Sequence, residues 1–193
     1  GLAEVSNPSE LFLADRGTPT PGSVVFAGVE GTRPVLVEFQ ALVAPTHHSQ
    51  PRRSVVGWDS ARLAMILAVL EARCGIPFSG LDVYLNVAGG LKISEPAADL
   101  AVASALLSAR EDISLPADTV VYGEISLSGA LRPVSQAENR LKEAQKLGFT
   151  RALAPSNAKQ SAVTDIQVTQ IADLVSFVEE QFCAEKRLHV GDA

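Results

Sequence analysis

Gly89-Gly90-Leu91-Lys92-Ile93-Ser94-Glu95-Pro96-Ala97-Ala98-Asp99 joins a strand to a helix. Ahead of it, Leu81 to Ala88 reads as a strand, and the paired glycines break or bulge it. Behind it, Pro96 suits the first turn of a helix that runs to about Ala109. That helix is almost uniformly small and apolar, through Ala97, Ala98, Leu100, Ala101, Val102, Ala103 and Ala105, which is the composition of a buried, closely packed helix. Asp99 stands inside it. A buried carboxylate needs partners, so an arginine or a backbone donor is expected beside it, from this chain or across a subunit interface.

A second stretch, Gly123-Glu124-Ile125-Ser126-Leu127-Ser128-Gly129-Ala130-Leu131-Arg132-Pro133-Val134, places short strands at Thr119–Tyr122 and Leu131–Pro133 around a Ser128-Gly129 turn. After it, Gln136 to Leu147 is amphipathic, with Ala137, Leu141, Ala144 and Leu147 inward and Gly148 as the terminating residue. Arg151–Ala154 and Ile166–Thr169 read as strands, and Ile171, Leu174, Val175, Val178 and Phe182 as a last amphipathic helix. Towards the start, Ser23–Val29 and Pro34–Ala44 are strand-like, with a hairpin turn at Glu30-Gly31-Thr32-Arg33. Pro45 to Arg53 is polar and reads as a loop. Gly57 to Arg73 carries Leu63, Ile66, Leu67 and Leu70 at helical spacing, and Gly75 and Pro77 end it. The fold class is α/β (α+β), with helices layered on mixed sheets.

The 193 residues suit one domain. The expected division is a linker over 1–22, a domain over 23–184 and a polar tail over 185–193. Within the linker, Asn7-Pro8-Ser9-Glu10 before Leu11-Phe12-Leu13 reads as a capped turn and a short helical turn, continuing from something longer. No apolar run is long enough to span a bilayer and no signal peptide is visible, so no membrane is expected and the location is read as cytoplasmic. Cys74 and Cys183 form no metal or disulfide pattern and read as reduced thiols. Adjacent His47 and His48 lack a third ligand nearby, so no metal is assigned. A net charge of −6 argues against bulk polyanion binding but leaves room for a local basic patch.

The two quoted stretches resemble the serine and lysine motifs of Lon-type peptidases, from roughly Arg53 to Pro155. In that family a serine opens the buried helix and a lysine lies on a later one. Here Ala97 and Glu138 stand at those positions. A methyl group cannot attack a carbonyl, and a carboxylate cannot serve as the amine base. Ser94 lies three residues early and Lys92 on the strand side of the turn, so they do not replace the pair. Asn7-Pro8-Ser9-Glu10-Leu11-Phe12-Leu13, Pro51-Arg52-Arg53, Gly57-x-Asp59-x-x-Arg62-Leu63, Asn86-Val87-Ala88-Gly89-Gly90 and Glu95–Asp99 further resemble the C-terminal portion of the RadA (Sms) family of bacterial repair ATPases. The resemblance implies a Lon-like domain without peptidase activity that helps build a hexameric ring and binds DNA in recombinational repair and branch migration. It also implies that ATP, Mg and Zn belong to an upstream ATPase core and zinc finger, with no cofactor and no enzymatic activity in this segment. The sequence has no Gly-x-x-x-x-Gly-Lys-Ser/Thr loop and no Cys quartet.

For DNA contact the candidates are Arg52, Arg53, Lys92, Arg132 and Arg140, with Arg62 and Lys142 as further cations. Several flank the former groove, and the Arg52-Arg53 doublet suits phosphate oxygens. An arginine on a polar face is more often simply solvated, and Arg62 has a carboxylate near at hand in Asp59. Aromatic interleaving is absent, so backbone-directed, salt-sensitive duplex binding is the better form. The competing readings are a residual peptidase and a purely structural oligomerisation module.

Overall fold

The computed structural model describes residues 18–156 and 164–183. The expected turn at Asn7–Leu13 and the tail from Glu185 lie outside the described residues.

The chain enters through a tight turn at Thr20–Ser23 and forms β1 (Ser23–Glu30) and β2 (Arg33–Pro45), an antiparallel hairpin paired over its whole length from Ser23↔Gln40 to Glu30↔Arg33. β3 (Arg53–Val56) follows, then α1 (Ser60–Cys74) and β4 (Leu81–Val87). Asp59 caps α1, accepting from the Ala61 amide at 2.7 Å, and left-handed Gly75 closes it. Short 3₁₀ turns at Ala88–Gly90 and Pro96–Ala98 lead into α2 (Asp99–Glu111). β5 (Thr119–Val121), a small hairpin of β6 (Glu124–Ile125) and β7 (Leu131–Arg132), α3 (Ala137–Lys146), β8 (Arg151–Pro155), β9 (Gln167–Ile171) and α4 (Leu174–Val178) complete the order. A π-helical turn over Glu179–Cys183 continues α4.

Seven strands form one mixed sheet in the order β3-β4-β2-β1-β5-β8-β9. The pairings make β2 antiparallel to both its neighbours and every other pair parallel. α2 packs on β1 and β2, with α1 against α2, and every residue from Asp99 to Ser108 is buried, as the small apolar composition requires. The sheet and these helices share one core that includes Phe26, Phe39, Leu85, Leu100, Val121 and Phe177.

The differences from the sequence expectations are local. β3 starts at Arg53, the last residue of the expected loop, and runs on through Ser54–Val56, for which no element was expected. Its four residues are largely exposed and lie on the sheet edge, so burial leaves no apolar alternation to detect. Ile171 belongs to β9 rather than to the last helix, and the first turn after Pro96 is 3₁₀.

Candidate functional site

The two motif stretches meet through main-chain hydrogen bonds. The Gly123 amide donates to the Ala97 carbonyl at 2.8 Å, and the Leu100 amide donates to the Gly123 carbonyl at 2.9 Å. Ala97 is thereby fixed in the buried 3₁₀ turn ahead of α2. Gly57 holds the approach to this region. Its φ is +87°, and a Cβ there would stand 2.5 Å from the Leu91 carbonyl oxygen, so only glycine fits. Its own carbonyl accepts from the Ile93 amide at 2.8 Å.

Asp99 finds its partners within the chain. Arg62 of α1 donates through Nε at 2.9 Å and through Nη2, and the Ile125 amide donates at 3.0 Å. This cluster ties α1, α2 and β6 together. Burial pushes the Asp99 carboxyl above the usual range, against the pull of Arg62 and the Ile125 amide.

Arg140 does not join a surface patch. It is 2% exposed. It donates to the Ser135 carbonyl at 2.9 Å and the Ala27 carbonyl at 2.9 Å, and it forms an ion pair with Glu95. Its guanidinium lies 5.7 Å from the centre of the Tyr122 ring. Burial lifts the Tyr122 phenol to about 12 despite Arg140. The physical reason for the inward turn is helical geometry: Ala137, Arg140, Leu141 and Ala144 share one stripe of α3. That spacing was the signal available in the sequence, masked by a charged residue in an apolar position.

The other cations separate. The Arg52 side chain is exposed at the start of β3, and its amide donates to Asp82 at 2.7 Å. The Asp82 carboxyl is held below the usual range, first by this amide. The Arg53 guanidinium folds back onto the carbonyls of Arg52 and Phe78, both at 3.0 Å, and of Leu81. Lys92 lies beyond the other end of β3, close to Ile93 and its bond to Gly57. It lines a groove of about 480 Å³ between the β1–β2 hairpin and residues 91–95, together with Arg33, Gly28, Val29 and Glu95. Arg33 is thus a groove cation that the hairpin-turn reading overlooked. Arg132 is exposed on β7, opposite Glu124 in the ladder. Arg52, Lys92 and Arg132 make no ion pair among the described residues. Glu138 is exposed and lies 3.9 Å from Lys142, one helical turn on.

The family described as subunit ChlI of Mg-chelatase matches residues 56–158, a span that contains Asp99, Ala97 and Glu138. A protein named DNA repair protein RadA from Brucella abortus (strain 2308) is 58% identical over 190 residues, covering 96% of this chain and 41% of that protein. One of the same name from Pseudomonas aeruginosa is 49% identical, covering 94% of this chain and 40% of that protein. Another from Synechocystis is 54% identical, covering 80% and 31% respectively. The chain spans about two fifths of the length of the first of these relatives.

These matches correct two expectations. With a match to the family of subunit ChlI of Mg-chelatase over residues 56–158, the segment is no longer read as a non-enzyme, nor as free of cofactors. The side chains at hand do not by themselves fit a nucleotide-phosphate site. The sequence has no Gly-x-x-x-x-Gly-Lys-Ser/Thr loop, and among the described residues no three His, Cys, Asp or Glu side chains gather. No helix among the described residues is long and apolar enough to cross a membrane.

Proposed function

The chain belongs to the family of subunit ChlI of Mg-chelatase, and from that premise we propose that it is a DNA-holding portion of a DNA repair protein, working with ATP and Mg. The observation that carries this reading is the identity of 49–58% over nearly the whole chain to proteins named DNA repair protein RadA. Its Lon-type likeness and its assembly into a hexameric ring belong to the same proposal.

The exposed cations supply the contact. Arg52, Lys92 and Arg132 are free of ion pairs among the described residues, so their charge is available to phosphate oxygens. Arg33 adds a cation to the Lys92 groove. Arg53 contributes less, because its guanidinium is engaged by three carbonyls. Arg140 leaves the set because it is buried. The cations are dispersed over both ends of β3 and over β7, which suits an extended backbone more than a point ligand. With a net charge of −6 on the whole chain, binding rests on these local sites and falls steeply with salt. Ring assembly would repeat the sites and raise avidity without new contacts.

A salt-titrated duplex-binding measurement tests this. Each of Arg52→Ala, Lys92→Ala and Arg132→Ala is expected to weaken binding similarly on unrelated sequences and to lower the salt slope by about one. A folded triple variant that binds duplex as well as the parent chain would remove the assignment.

A further inference from the structure

The sheet is bare at one corner. Alternation sends Arg53 and Val55 of β3 to the face covered by α1, where they line a groove with Leu63, Leu67 and Phe78. Ser54 and Val56 therefore point to the opposite face. The register carries that face across three strands: Ser54 stands beside Tyr84 and Tyr84 beside Leu42, while Val56 stands beside Asn86 and Asn86 beside Gln40. The Asn86 side-chain amide donates to Gln40 Oε1 at 3.2 Å, joining β4 to β2 on the same face. Leu42 is 62% exposed and Val56 56%, so nothing among the described residues covers them, and Tyr84 is only half-buried between them. A sheet face that carries large apolar side chains is ordinarily buried under another layer.

The chain itself supplies the cover. It enters the fold beside this corner: the Ala41 amide donates to the Gly22 carbonyl at 2.8 Å, and Leu42 is the next residue of β2. At about 4.8 Å per strand, Leu42, Tyr84 and Val56 all lie within about 15 Å of Gly22. Residues 1–17 are outside the described residues, and Leu11-Phe12-Leu13 is their one run of large apolar residues, set between Glu10 and Asp15-Arg16. Leu13 precedes Gly22 by nine residues, which reach up to about 30 Å, twice what is needed. A compact apolar run ended by charges matches an apolar patch rimmed by Gln40, Ser54 and Asn86. We infer that the Leu42–Tyr84–Val56 face is the seat of Leu11-Phe12-Leu13, the chain ahead of β1 folding back across β2, β4 and β3. None of the cations assigned to DNA takes part, so the inference stands apart from that reading.

Disulfide trapping in the full chain tests it. In a Cys74→Ser/Cys183→Ser background, Phe12→Cys is combined with Leu42→Cys or, as a control, with Leu127→Cys. Leu127 is similarly exposed, at 64%, but lies beside Arg73 of α1. The Leu42 combination is expected to close within one chain at least about fivefold faster than the control. Equal rates overturn the inference. Disulfides that form only between chains also overturn it, and give the face to a second copy. Should the cysteine-free background fail to fold, carbene footprinting of the parent and of Phe12→Ser/Leu13→Ser decides. Labelling of Leu42 and Tyr84 is expected to rise about twofold in that variant, and unchanged labelling overturns the inference.

Discussion

Two arginine–carboxylate pairs hold the two ends of the same stretch, and their burial is reversed. In the Arg62–Asp99 pair the carboxylate is 1% exposed and the arginine 24%. In the Glu95–Arg140 pair the arginine is 2% exposed and the carboxylate 23%. The difference lies in how each buried charge is shared. Asp99 depends on Arg62 for its charge partner and has the Ile125 amide as its other donor. Arg140 spreads its donors over Ser135, Ala27 and Glu95 and also faces Tyr122. A planar fork with five N–H groups can be satisfied by neutral carbonyls, whereas a buried carboxylate needs donors that a small-residue helix does not supply.

The contrast is open to breakage, beginning with the largest effect. Arg62→Ala strands the Asp99 charge and is expected to cost about 3–5 kcal/mol, measured by urea denaturation at neutral pH. Glu95→Ala leaves Arg140 with its carbonyl partners and is expected to cost about 1–3 kcal/mol in the same assay. A larger loss for Glu95→Ala than for Arg62→Ala would show that the sharing of donors does not protect Arg140. The next effect sharpens the first pair through pH. Because burial raises the Asp99 carboxyl, the folded chain holds that proton more tightly than the unfolded chain does. The contribution to stability is therefore full below the ordinary aspartate range and is lost as pH rises through the folded value. Arg62→Ala removes two pulls that lower this carboxyl, so its deficit against the parent is expected to shrink as pH falls from neutral towards 5; a constant deficit would mean that Asp99 stays ionised in the variant. The smallest effect supplies the exposed reference. Glu138→Ala breaks a 3.9 Å pair with Lys142 that is about half exposed on both sides, and it is expected to change stability by less than about 0.5 kcal/mol.

The same pairs show what the sequence makes legible. Asp99 stands out because its neighbours are all small and apolar, so burial and the need for a partner follow directly, and Arg62 could be named as a cation with a nearby carboxylate. Its actual carboxylate is 37 positions away in the chain, a distance that local spacing cannot bridge. Arg140 misleads because Asn139, Lys142 and Glu143 surround it with polarity, although its offset from Ala137, Leu141 and Ala144 places it on the inward stripe. The long strands and helices follow from alternation, helical spacing and termination at Gly75. β3 does not, since an exposed four-residue edge carries too few buried positions to set a period. The Glu95–Arg140 ion pair was not legible, because it joins residues 95 and 140 through the fold.

The hairpin register has a mechanical consequence. β1 is the fourth strand of seven, and the chain reaches it directly from the turn at Thr20–Ser23, where the Gly22 amide is also held by the Ser108 hydroxyl at 2.8 Å. Tension drawn along the axis of β1 from residues 18–22 would load its eight pairings with β2 in shear, together rather than one after another. A pull arriving from the preceding chain would thus be borne by the middle of the sheet, so that the domain would move as a rigid body before it peeled.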